Sequence, residues 1–112
     1  HPRDPQGVLV TLELADAAVV TSGDYERFFE VGGVRYHHIL DPRDGRPATA
    51  CQSVTVVAAT AAEADALATA AFVLGPEAGR RLVEAWGGLA LVVAADGEVS
   101  LSEALKERVR RP

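Results

Sequence analysis

Asp65 and Thr69 stand four positions apart inside the alanine-rich run EADALATAAFVLG. On a helix that spacing puts both side chains on one face, with about 5–6 Å between Cβ atoms. A carboxylate and a hydroxyl so placed are hard oxygen donors. They suit Mg²⁺, which keeps waters and phosphate oxygens in its other positions. An aspartate on an apolar, buried helix also needs a compensating partner. The competing reading is local: Asp65 lies in the first turns, where the helix dipole and solvent favour a negative charge. Spacing alone leaves both open.

A second polar concentration is RYHHILDPRDGRPA, residues 35–48. On an extended strand His37 and His38 point to opposite faces, so at most one of them serves a given pocket. His38 falls on the expected core face, where a histidine is either a hydrogen-bonded core residue or a site residue. Asp41-Pro42 sets an extended-to-turn transition, completed by Arg43-Asp44-Gly45. A surface turn with Asp41 bonding its own backbone is the plain alternative. Thr21-Ser22-Gly23 ends an apolar run with small hydroxyl residues and a glycine, which lets a phosphate or a ring approach the backbone. Cys51 has no evident partner base and reads as a small buried residue.

These residues need elements to position them. VLVTLELA (8–15) alternates at the period of a half-buried strand, and AAVVTSG follows as a second strand ending at Gly23. FFEV and VRYHHIL flank Gly32-Gly33, a hairpin with a primed turn. Counting outward, Val31 faces Val34, Glu30 faces Arg35, Phe29 faces Tyr36 and Phe28 faces His37. The opposed charges of Glu30 and Arg35 support that register. SVTVVAA (53–59) is a further strand. Thr60-Ala61-Ala62-Glu63 is a capping box opening a helix that stops at Gly75-Pro76. Its alanines lie nearly all round the cylinder, which predicts a buried helix. A second helix from Pro76 to Gly87-Gly88 carries Leu82, Val83 and Trp86 on one stripe. LALVVAA and EVSLS flank Asp96-Gly97 as another hairpin, and EALKERV forms a short terminal helix. The order predicts an α+β fold, an antiparallel sheet with a helix pair packed on one face.

At 112 residues the chain is at most one domain. With 11 basic against 16 acidic residues the net charge is −5. That argues against a nucleic-acid partner, since such proteins concentrate Lys and Arg on one face. A single cysteine excludes an internal disulfide and a cysteine-based zinc site. No run reaches the roughly 18 apolar residues of a membrane span.

TSGDYER (21–27), YHHILDPRDGRP (36–47) and SVTVVAATAAEADALATAAFVLG (53–75), in this order and spacing, resemble the C-terminal part of the ApbE family. These are FAD:protein FMN transferases, once labelled thiamine-biosynthesis lipoproteins. The resemblance covers essentially the whole chain and implies a T-fold-like α+β architecture. It further implies a reaction that cleaves FAD at its pyrophosphate and joins FMN by a phosphoester to a Thr or Ser hydroxyl of a target flavoprotein, releasing AMP. Some members instead hydrolyse FAD to FMN and AMP. By the same resemblance Asp65 and Thr69 bind Mg²⁺. His38 is the candidate catalytic base, and Thr21, Ser22, Gly23, His38, Ile39 and Asp41 lie at the flavin-nucleotide site. The physics agrees with such roles: phosphoryl transfer is driven by positioning and charge neutralisation, and a base with a near-neutral pKa suits a hydroxyl proton.

Two departures from the family pattern stand out. Asp44 occupies the position that is usually Thr in the D-P-x-T-G turn, adding a negative charge to a loop expected near phosphates; a solvent-pointing Asp44 is the benign alternative. Members are also roughly two to three times longer. The 112 residues thus correspond to the C-terminal portion of the flavin transferase domain, with the N-terminal portion absent. Unsupported, such a portion exposes sheet edges and apolar surface, and is expected to dimerise or to associate with the rest of the domain. A fragment that binds FAD and metal without turnover is the alternative function. Similar proteins are exported bacterial lipoproteins, which implies a periplasmic site or the outer face of the cytoplasmic membrane.

Overall fold

The computed structural model describes residues 2–4, 6–9, 11–12, 16–25, 28–32, 34–37 and 39–110, excepting the side chains of 11, 12, 28, 29, 31, 34–37 and 110. The strands in chain order are β1 (Thr11–Leu12), β2 (Ala18–Gly23), β3 (Phe28–Val31), β4 (Val34–His37), β5 (Leu40–Asp41), β6 (Arg46–Pro47) and β7 (Cys51–Ala58). Helices α1 (Ala61–Leu74) and α2 (Pro76–Ala85) follow, then β8 (Leu89–Ala94), β9 (Val99–Leu101), a 3₁₀ turn over Glu103–Arg108 and β10 (Val109–Arg110).

The central sheet has the order β2-β7-β8-β9, with every pairing antiparallel. Its inner strand β7 is rich in β-branched residues and buried on both faces: Val54 and Val56 on one, Val57 and Ser53 on the other. That is the pattern of a strand covered from both sides. Three two-stranded ribbons complete the fold, β3-β4, β5-β6 and β1-β10. The β3-β4 register pairs Phe28 with His37, Phe29 with Tyr36, Glu30 with Arg35 and Val31 with Val34, as counted from the sequence. Gly32 takes a φ of +59° in the turn.

Both helices pack on one face of the sheet. Ala64, Ala68, Ala71 and Phe72 of α1 meet Val54 and Val56 of β7, Ala90 and Val92 of β8, and Val83 of α2 in one apolar cluster. The Thr60 hydroxyl caps α1 by accepting from the Glu63 N–H at 3.2 Å. The two helices meet very closely: a Cβ on Gly79 would lie 2.5 Å from the Ala71 carbonyl oxygen and 2.9 Å from its Cα. Only glycine permits that approach.

Four expectations are revised. Helix α1 is not buried all round: its core stripe is narrow, and Ala61, Ala62, Asp65, Ala66 and Thr69 are exposed. Alanine is small enough to serve a core stripe or a solvent face, so its distribution carries no facial pattern. Trp86 caps the end of α2 and is 73% exposed, off the Val83 stripe. The C-terminal helix is a 3₁₀ segment, and its Leu105 is fully buried on the sheet face opposite the helices, against Val57, Leu91 and Val93. Of the first predicted strand, 8–15, the described Val8 and Leu9 lie outside any strand, and only Thr11–Leu12 among the described residues is one, paired with β10. Among the described residues no helix is long and apolar enough to cross a membrane.

Candidate functional site

Strand β2 ends in Thr21, Ser22 and Gly23, and the alternation of side chains splits the triplet between two faces. Ser22 sits opposite Val54 in the ladder and turns toward α1. It is 9% exposed, and its hydroxyl lies 3.2 Å from the Thr69 hydroxyl, close enough for a hydrogen bond in either direction. Thr21 sits opposite Thr55 and turns to the other face, where the two hydroxyls share a 2.8 Å hydrogen bond. There it borders a cavity of about 320 Å³ together with Tyr25, Ser53 and Thr55. Gly23 is buried under the Tyr25 ring, since a Cβ at this position would fall 2.2 Å from Tyr25 Cε1. The segment expected to approach one ligand as a unit therefore serves two sides of the sheet, and of its three residues Ser22 adjoins the metal-candidate helix.

Asp65 and Thr69 occupy successive turns of α1, both exposed. Asp65 is solvated, so the need to compensate a buried carboxylate falls away as an argument for a cation. The donor set itself fits a hard divalent ion. One exposed carboxylate and one exposed hydroxyl, about 5–6 Å apart at Cβ, face solvent, where waters and phosphate oxygens can complete an oxygen shell. Among the described residues no group of three or more His, Cys, Asp and Glu side chains gathers.

The segment that carries His38 reaches the site's side of the molecule through Ile39. His38 itself lies outside the described residues. Ile39 is 5% exposed, packs into the helix-side core, and its carbonyl accepts from the Ala48 N–H at 2.9 Å. Its side chain is thus committed to the core, and what it contributes to any site is the anchoring of its neighbours. Asp41 opens the following turn. Its carboxylate accepts from Arg43 Nε at 2.9 Å, Arg43 Nη2 at 2.6 Å and the Arg43 N–H at 2.9 Å. The Arg43 guanidinium, and after it the backbone N–H, hold the Asp41 carboxyl below the usual carboxylate range. Both its oxygens are engaged within the turn. Asp44 is exposed and accepts from the Arg46 N–H at 2.9 Å, so the extra carboxylate caps its own turn on the solvent side.

One ion pair near the site went unread in the sequence. Asp24, 7% exposed, follows Gly23 directly and takes both prongs of Arg3, at 2.7 and 2.8 Å. Its own N–H donates to the Gln52 carbonyl at 3.0 Å, pinning the end of β2 to the start of β7. The hydrogen bonds that Arg3 donates to Asp24 hold it more firmly protonated than usual. The signal available in the sequence was a charged residue directly after a strand end, with no fixed spacing to its partner. Cys51 is buried, and burial pushes its thiol up to about 11.

Known proteins resemble this chain closely. The ApbE family model matches residues 1–93. The FAD:protein FMN transferase of Treponema pallidum is 47% identical over 114 residues, covering 96% of this chain and 32% of that protein. That of Vibrio cholerae is 46% identical over 83 residues, covering 73% of this chain and 25% of its own length. Among solved structures, the ApbE protein of Thermotoga maritima superposes with a TM-score of 0.87 at 43% identity, over 99% of this chain and 37% of that one. The apo flavinyl transferase ApbE of Pseudomonas stutzeri gives 0.69 at 40% identity, over 87% and 32%. The chain spans no more than about a third of the length of these curated relatives.

Proposed function

Because this chain belongs to the ApbE family, we propose that it carries the metal- and nucleotide-binding part of an FAD:protein FMN transferase. The observation that supports the reading best is the 3.2 Å approach of Ser22 to Thr69. It joins the end of β2 to the exposed Asp65–Thr69 side of α1, so two of the three family motifs form one surface.

In this reading Asp65 and Thr69 hold Mg²⁺. When bound, such a cation offsets the charge of a pyrophosphate, the main requirement of phosphoryl transfer. The acceptor is a Thr or Ser hydroxyl of a target flavoprotein. Its oxygen forms a bond to the FMN-side phosphorus of FAD while the bond from that phosphorus to the bridging oxygen breaks. AMP leaves with the bridging oxygen and the charge. The hydroxyl proton passes to an imidazole nitrogen of His38, the residue proposed as base because its ordinary pKa lies near neutrality. The core-bound Ile39 and the Asp41–Arg43 turn anchor the residues that follow His38 in the chain. With water as acceptor the same steps give FMN and AMP.

In a second reading these residues bind FAD and Mg²⁺ without turnover. AMP release separates the two. The chain is incubated with FAD and Mg²⁺, alone and with a Thr-bearing acceptor peptide. AMP formation that disappears in Asp65→Ala is expected for the transferase; folded protein that binds Mg²⁺ yet forms no AMP selects the binding role.

A further inference from the structure

The geometry points to Ser22 as a positioning residue that acts through Thr69, accepting the Thr69 hydroxyl proton so that the oxygen's lone pairs face the cation side of α1. This inference rests on the proposed Asp65–Thr69 metal site and adds to it a residue that acts on the cation through Thr69.

A threonine inside a helix ordinarily has two side-chain rotamers open to it, and in one the hydroxyl turns back to the carbonyl of the preceding turn. That arrangement ties up the proton locally and leaves the oxygen's direction to chance. Here the Thr69 hydroxyl is instead 3.2 Å from Ser22 Oγ on the neighbouring strand. In the isolated pair either oxygen can donate. A cation on the Thr69 oxygen removes that ambiguity. Its charge draws on a lone pair and opposes any donor hydrogen arriving at the same atom, so the Thr69 proton must point away and Ser22 must accept it. Ser22 is suited to the task. It is 9% exposed, and its backbone is held in the central sheet opposite Val54. Thr69, by contrast, stands on the exposed side of α1 with Asp65 one turn away. A fixed outer acceptor and a solvent-facing ligand make the arrangement by which metal sites hold their ligands in one orientation.

The test is titration with Mn²⁺, which shares the oxygen preference of Mg²⁺, read by the electron paramagnetic resonance of the free ion. The proteins are the chain itself, Asp65→Ala, Thr69→Ala, Ser22→Ala, Ser22→Cys, Ser22→Thr and the Ser22→Ala/Thr69→Ala double variant. Loss of an outer partner costs metal affinity about 10-fold or more, so Ser22→Ala is expected to weaken Mn²⁺ binding by about that factor. Ser22→Cys, of similar shape but a poor acceptor, should follow it, while Ser22→Thr keeps the hydroxyl and most of the affinity. In the Thr69→Ala background Ser22→Ala should change nothing further, an outcome that general loosening of the fold would not give. Unchanged Mn²⁺ affinity in Ser22→Ala and Ser22→Cys overturns the inference and leaves the metal site standing, as does an additive loss in the double variant. Absent Mn²⁺ binding, or binding indifferent to Asp65→Ala, overturns the metal site and this inference together.

Discussion

Arg3 and Asp24, far apart in the chain, close a two-pronged ion pair with N···O distances of 2.7 and 2.8 Å. The carboxylate is buried and the guanidinium partly solvated, with 10% and 37% of the side chains exposed. Removing Arg3 leaves a buried charge short of its fork, a costlier change than deleting an exposed pair. Arg3→Ala should therefore lose about 1–2 kcal/mol in urea unfolding, and Asp24→Asn less, because it removes the charge along with the need for a partner. Equal midpoints for Arg3→Ala and the unaltered chain would show that the pair does not hold the first residues to β2.

Gly79→Ala sets two effects against each other. Alanine gains about 1 kcal/mol of helix propensity over glycine. Its Cβ, however, meets the backbone of Ala71 at 2.5–3.0 Å, and a packed backbone cannot move aside as a side-chain tip can. Overpacking of this kind costs about 1–3 kcal/mol, so a net loss is expected, seen as a lower Tm. A raised Tm would mean that the two helices sit farther apart than described.

The buried Cys51 thiol, pushed up to about 11, links stability to alkaline pH. An unfolded thiol ionises near 8.5, while the folded one keeps its proton. Below that range the fold holds the full benefit of a neutral Cys51; as pH rises toward 11 the unfolded chain loses its proton first and stability falls. The slope is about 1.4 kcal/mol per pH unit at most. Denaturant midpoints from pH 8 to 11 should fall in the unaltered chain and stay flatter in Cys51→Ala. Parallel curves would dismiss the linkage.

At the acid end the Asp41–Arg43 turn behaves oppositely. Hydrogen bonds from Arg43 lower the Asp41 pKa, so its contribution is present at neutral pH and lost as pH falls through that lowered value. Carboxyl NMR should find Asp41 titrating below the ordinary aspartate range, and returning toward it in Arg43→Ala. An ordinary titration in the unaltered chain would mean that the turn is open in solution.

Trp86, the single tryptophan, is 73% exposed at the end of α2. In a dilute monomer its fluorescence should match that of indole in water and be readily quenched by iodide. If copies associate through this face, the emission shifts blue and quenching falls as concentration rises, alongside a larger hydrodynamic size. Larger size with unchanged emission would place any contact elsewhere.

Much of the fold was legible because particular residues allowed one solution. The charges of Glu30 and Arg35 and the paired glycines fixed the β3-β4 register, and Thr60 with Glu63 marked the start of α1. The exposure of Asp65 was not legible, since an alanine-rich helix carries no contrast between its faces. The splitting of Thr21 from Ser22 follows from strand alternation, but which of the two turns toward α1 depends on where the sheet places β2. Arg3 and Asp24 have no local periodicity to connect them, because their meeting is set by the path of the whole chain. That Asp65 and Thr69 share one face of a helix followed from spacing, whereas the approach of Ser22 to Thr69 required the sheet.

The chain leaves the central sheet at Gly23 and re-enters it with β7, where Ser53 is the ladder partner of Gly23 and the Asp24 N–H on the Gln52 carbonyl closes the neck. Everything between, including the ribbons β3-β4 and β5-β6, is an excursion tied down by its neck and by Ile39 and Ala48 in the core. Closing a loop grows dearer only slowly with length, by about 0.6 kcal/mol per doubling. Residues can thus be added to or removed from the outer ribbons while the neck, the sheet and the helix pair stay as they are.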